Sequence, residues 1–162
     1  IANVGENDLA NVQENQEYLH LKKQAESENA KIIPVCAKVE EDLSSLTAEE
    51  KQLFMEELQI KESGLDQLIK ATYELLGLET FYTSGKDECR AWTFKKGMKA
   101  PQCAGIIHSD FERGFIKAEV YHFQDLLQYQ SEQAVKENGK CRLEGKEYVM
   151  KDGDIVYFKF NV

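Results

Sequence analysis

The chain has 162 residues, 42% of them hydrophobic, which is enough to bury an ordinary core as one large or two small domains. A net charge of −9 and a pI near 4.9 exclude a protein that coats nucleic acid through bulk electrostatics, so no DNA partner is expected and any RNA contact must rest on a local basic patch. No apolar run approaches the roughly 20 residues that cross a bilayer, and no charged-then-apolar secretory stretch opens the chain; a soluble chain without a membrane partner is expected.

The segment "IANVGENDL" opens the chain with an apolar strand end running into Asn3-Val4-Gly5-Glu6. "NVQENQEYLHLKKQAESEN" reads as a polar helix with Tyr18, Leu21 and Ala25 along one stripe, and "AKIIPVCA" as a parallel strand covered on both faces. In "SSLTAEEKQLFMEELQI", Thr47 and Glu50 have capping-box spacing, and Leu53, Phe54 and Leu58 supply an inward face. "SGLDQLIKATYELLG" repeats the pattern: Ser63 caps, Leu65, Leu68, Ile69, Thr72 and Leu76 face inward, and Gly77 stops the helix. This alternation is the α/β style.

After Gly77 the pattern changes. "ETFYTSGKDECRAWTFKKG" predicts a hairpin around a Ser-Gly-Lys-Asp turn, and "APQCAGIIHSDF" a helix with Pro101 at its first position. "GFIKAEVYHF" is an alternating strand, "FQDLLQYQSEQAVKENG" holds a short helical stretch ending at Gly139, and turns at Glu144-Gly145 and Asp152-Gly153 lead into the last strand. That strand is apolar on both faces, Ile155/Tyr157 and Val156/Phe158/Phe160, so it belongs in the middle of a sheet. The second unit is therefore α+β, with one main helix crossing a mixed sheet, and the boundary is expected near residues 77–80. Cys36, Cys89, Cys103 and Cys141 are scattered without a C-x-x-C, which points to free thiols in a reducing compartment rather than to a metal site.

In doubly wound sheets ligands lie outside the carboxyl ends of the strands, so Asn3-Val4-Gly5-Glu6 and Cys36-Ala37-Lys38 are expected to line one crevice. Asn-x-x-acid followed by a small-Ala-Lys tripeptide resembles the base-recognition motifs of P-loop GTPases. "CRAWTFKKGMKAPQCAGIIHSDFERGFIKAEV" narrows the likeness: it resembles the signature of the YchF / Obg-like ATPase family, of the TRAFAC class of the P-loop GTPase superfamily. The resemblance covers essentially the whole chain. It implies an α/β partial P-loop NTPase (Rossmann-like) segment over residues 1–77, followed by an α+β ubiquitin-like β-grasp (TGS) domain over residues 78–162. It also implies a cytoplasmic, Mg²⁺-dependent ATP hydrolase that associates with the ribosome through rRNA or a ribosomal protein. In that family Asn-x-x-Glu replaces the usual Asn-Lys-x-Asp, as Asn3 and Glu6 do here.

The chemistry of the replacement can be argued from the bases. Guanine offers two donors on its Watson–Crick edge, which a short Asp carboxylate accepts, whereas adenine N1 is an acceptor and repels it. Lengthening Asp to Glu moves the carboxylate, and Val4 removes the stem of the usual Lys, so guanine selectivity should fall. Asn3 matches adenine N6–H and N7, Val4 is expected on the base face, Glu6 at the 6-amino group or a water, and the backbone of Cys36, Ala37 and Lys38 at the other edge. ATP, at least as well as GTP, is the expected nucleotide. No G-x-x-x-x-G-K-[ST] occurs, so the grip on phosphates and Mg²⁺ is expected upstream of Ile1. The piece is expected to be inactive alone and monomeric, with no catalytic residue and no metal ligand.

The segment "HSDFERG" gathers His108, Asp110, Glu112 and Arg113, but capping and local ion pairing account for it, and the resemblance makes it a mark of the fold. Lys95, Lys96 and Lys99 beside Trp92 and Phe94 form a small basic-aromatic face suited to RNA, or simply solvated lysines. A second reading makes residues 80–162 a stand-alone TGS-type adaptor for protein or RNA, without nucleotide hydrolysis.

Overall fold

Two short parallel strands, β1 (Ala2–Asn3) and β2 (Pro34–Val35), pair in the register Ala2 with Pro34 and Asn3 with Val35. The computed structural model describes residues 1–85 and 88–161, and they form two units, Ile1–Glu74 and Leu75–Val162. The first carries α1 (Glu6–Leu9), α2 (Gln16–Ser27), α3 (Ala37–Ser45), α4 (Ala48–Glu57) and most of α5 (Gly64–Leu76).

Local chemistry explains the helix starts. Asn15 Oδ1 accepts from Tyr18 N–H at 3.0 Å at the head of α2, and Thr47 with Glu50 forms a capping box on α4. Glu40 of α3 reaches across to cap α5, its carboxylate accepting from Gly64 N–H at 2.7 Å and Leu65 N–H at 3.3 Å. Gly64 has no side chain because a Cβ there would sit 3.0 Å from both Glu40 Oε1 and Val35 Cγ2. The core is small: Cys36, Val39 and Leu43 pack with Phe54 and Leu58, and Ala2, Val12 and Tyr18 with Val4 and Ile32.

Three expectations change here. The β2 ladder involves only Pro34 and Val35, both half-buried rather than covered on both faces, and Pro34 has no N–H to offer a further neighbour. Leu53 is exposed while Phe54 and Leu58 pack inward. On α5 the apolar stripe is open, with Leu65 56%, Ile69 49% and Leu76 58% exposed.

Gly77, at φ +61°, ends α5 as its sequence position implies. The second unit is a five-stranded mixed sheet built from β3 (Leu78–Ser84), β4 (Cys89–Lys95), β5 (Phe115–His122), β6 (Arg142–Glu144) and β7 (Asp154–Phe160) in the order β4-β3-β7-β5-β6. β7 is central, parallel to β3 and antiparallel to β5, in keeping with its apolar pattern. The β3–β4 ladder is antiparallel, and part of its Ser-Gly-Lys-Asp turn, Lys86-Asp87, lies outside the described residues.

On one face α6 (Ala100–Ile107) and α7 (Ser109–Arg113) cover Phe81, Phe94, Phe115, Val156 and Phe158, with Cys103 of α6 packed among them. Pro101 stands second in α6, after Ala100. The expected single stretch before Gly139 is two helices, α8 (Phe123–Tyr129) and α9 (Glu132–Glu137). Gln130, at φ +64°, breaks them, and Ser131 Oγ restarts the helix by accepting from Ala134 N–H at 3.1 Å.

Candidate nucleotide-base site

The two strand ends run side by side because β1 and β2 are parallel neighbours: Ala2 N–H donates to Ile33 O and Val4 N–H to Val35 O, each at 2.9 Å. Beyond β1 the chain passes Gly5, extended at φ −69° and ψ 155°, into α1 at Glu6. Beyond β2 it passes Cys36, at φ −104° and ψ 106°, into α3 at Ala37.

Cys36 stands where a helix wants a capping oxygen, yet its thiol is buried with Val39 and Leu43 and makes no capping bond. The first N–H of α3 finds a partner across the strands instead: Ala37 N–H donates to Asn3 Oδ1 at 3.2 Å. One position further, Lys38 Nζ donates to Glu6 Oε2 at 2.9 Å. That hydrogen bond, reinforced by the carboxylate charge, raises the Lys38 pKa above its ordinary value. Strand alternation sends Asn3 outward and packs Val4, half-buried, against Ala2, Val12 and Tyr18. Five of the six residues named from the sequence thus meet at one edge through Asn3–Ala37 and Glu6–Lys38, with Cys36 between the strand and the helix. Val4 turns its bulk toward the core, and Cys36 offers only backbone there.

Chemically, the edge presents an amide anchored through its oxygen, with its NH₂ left as a donor, and an exposed carboxylate–ammonium pair. Among the described residues no group of three or more His, Cys, Asp or Glu is placed to hold a metal ion.

The other motifs resolve into structure. His108 Nδ1 accepts from Asp110 N–H at 3.2 Å, and Asp110 pairs with Arg113, whose hydrogen bond holds the Asp110 pKa below its usual range. Phe111 stacks on Phe160 at 3.9 Å between ring centroids. Of the basic-aromatic face, Phe94 is core, Lys96 lies 3.6 Å from Glu79 Oε1, and Lys99 lies 2.5 Å from Glu147 Oε2. Arg90 instead covers Trp92, at 4.4 Å from its ring centre.

Two features escaped the sequence reading. Asp154 is fully buried, its Oδ2 accepting from Tyr148 OH at 2.8 Å and Lys151 N–H at 3.0 Å. A 780 Å³ cleft on the second unit is lined by Glu119, Tyr121, Glu132, Lys136, Tyr157 and Lys159, contributed by three separate elements. For Asp154 a signal existed, since it alternates with Val156 and Phe158 onto the core face of β7; for the cleft there was none.

Comparison with known proteins bears on the whole chain. The family YchF-GTPase_C, described as a protein of unknown function (DUF933), matches residues 78–161. The "Ribosome-binding ATPase YchF" of Bacillus subtilis (strain 168) is 59% identical over 162 residues, 100% of this chain and 44% of that protein. "Obg-like ATPase 1" of Gallus gallus is 52% identical over 132 residues, 82% of this chain and 33% of that protein. The structure of the Schizosaccharomyces pombe YchF GTPase superposes with a TM-score of 0.86 at 40% identity, covering 97% of this chain and 42% of the other. An α/β chain with a mixed sheet, matched along its length in this way, belongs to the YchF / Obg-like ATPase family. It spans less than half the length of the curated relatives it matches.

Proposed function

We propose that residues 1–77 are the base-recognising end of a P-loop NTPase domain and residues 78–162 a β-grasp TGS interaction domain. Both belong to a cytoplasmic, ribosome-associated ATP hydrolase that binds ATP at least as well as GTP. The observation that carries this reading is the juxtaposed pair of strand ends, where Asn3 Oδ1 is fixed by Ala37 N–H. Holding the amide oxygen in place orients the amide toward a purine, where its NH₂ suits N7 and its oxygen keeps a second lone pair for an adenine 6-amino group. The Watson–Crick edge of guanine finds no short Asp here, since Glu6 stands in its place.

The names of the relatives, a ribosome-binding ATPase and an Obg-like ATPase, support the partner and the reaction. In this reading the phosphates and Mg²⁺ are held by residues outside this chain, which by itself turns over no nucleotide. Direct titration of the full-length protein with ATP and GTP tests it. Comparable or tighter ATP binding is expected, and a GTP preference above about tenfold, about 1.4 kcal/mol, refutes it.

A further inference from the structure

In the base-pocket reading proposed above, Glu6 stands where a carboxylate would read the Watson–Crick edge of a purine, yet Lys38 Nζ holds its Oε2 at 2.9 Å. We infer that Lys38 is a specificity-determining positioning residue, which turns the Glu6 carboxylate toward α3 and so removes the acceptor that guanine requires. The inference rests on the base-pocket reading and deepens it.

Three observations support the assignment. Lys38 has an alternative acid one turn along its own helix, Asp42, which acts on it only at a distance, whereas the direct bond goes to Glu6 on a different element. The pair is set by the same parallel strands that fix Asn3 against Ala37, so the two contacts share one frame. Glu6 is the first residue of α1 and Lys38 the second of α3, so each side chain leaves a backbone already held by a helical turn.

The consequence follows from donors and acceptors. Guanine N1–H and its 2-amino group need an accepting carboxylate aimed at them, and one whose charge is compensated by an ammonium and whose orientation is set toward α3 serves them poorly. Adenine makes no such demand, because its N1 is itself an acceptor. The longer Glu side chain is what allows the diversion toward Lys38, so the Glu and the Lys act together as a device against guanine.

The test uses the full-length protein, titrated with non-hydrolysable ATP and GTP analogues at one salt concentration. Lys38→Met should raise the GTP-to-ATP affinity ratio about fivefold by freeing Glu6, Lys38→Arg should hold the wild-type ratio within about twofold, and Lys38→Met with Glu6→Gln should abolish the gain. Lys38 is 71% exposed in its side chain, and the ratio, unlike a melting temperature, does not follow a general loss of folding. An unchanged ratio in Lys38→Met, or a gain that survives Glu6→Gln, overturns the inference while leaving the pocket intact. Binding of both analogues that ignores Asn3→Ala overturns the pocket, and this inference with it.

Discussion

Replacing Asp154 by alanine should destabilise the second unit strongly for a substitution that removes no apolar side chain. The carboxylate is fully buried and its Oδ2 takes two donors, Tyr148 OH at 2.8 Å and Lys151 N–H at 3.0 Å. Its Oδ1 has no hydrogen-bond partner among the described residues and lies 3.8 Å from Arg142 Nη2. Two hydrogen bonds to a charged acceptor contribute about 1.5–3 kcal/mol each, and their loss strands two donors. Relief from keeping a carboxylate out of water offsets several kcal/mol of that. The net cost expected for Asp154→Ala is about 3 kcal/mol, within the range for removing one partner of a buried polar pair. Asp154→Asn keeps an accepting oxygen for both donors and should cost about half as much. The assay is urea unfolding followed by fluorescence of Trp92, the single tryptophan of the chain, which lies in β4 and so reports this unit. At an m-value of about 1–3 kcal/mol/M, the alanine variant should lower the midpoint by about 1–3 M. A cost below about 0.5 kcal/mol, or equal costs for Asn and Ala, would refute the reasoning by showing that the donors find other partners or that only packing is at stake.

Cys103 is fully buried, and burial first and the nearby Asp154 charge second push its thiol up to about 12. With iodoacetamide at pH 8, peptide mapping should show the exposed Cys89 alkylated first and Cys103 protected until unfolding, and equal rates would contradict the packing of α6 on the sheet. Lys159, through its hydrogen bond to Glu119, holds the Glu119 pKa below the ordinary carboxylate value. A pKa depressed in the folded state adds stability that is complete above the unfolded value, about 4.3, and is lost as the pH falls through the folded one. Wild-type protein should therefore lose stability below about pH 4.3 more steeply than Glu119→Gln in parallel urea titrations, and superimposable curves would count against the pair.

What could be read from the amino-acid order alone was whatever depends on neighbours along the chain or on period. Thr47 and Glu50 announce a capping box because both partners lie within one turn, and Gly77 stops α5 because only a residue without a Cβ takes φ +61° at no cost. The central place of β7 followed from apolar residues on both of its faces. The residues at the strand ends could be named because parallel neighbours put their carboxyl ends at one edge.

Tertiary structure decided the rest, since it depends on which groups meet from distant parts of the chain. That Glu40 caps α5 at Gly64, 24 positions away, is invisible to any local pattern. Periodicity shows that α5 has an apolar stripe but not whether anything covers it, and here Leu65 and Ile69 stay exposed. At the site, the amino-acid order supplied an acid and a lysine 32 positions apart. Only the fold, by pairing β1 with β2, brought them to 2.9 Å and turned the carboxylate toward the lysine. A side chain's type limits which bonds it can make, and the geometry of the backbone carrying its partners selects among them.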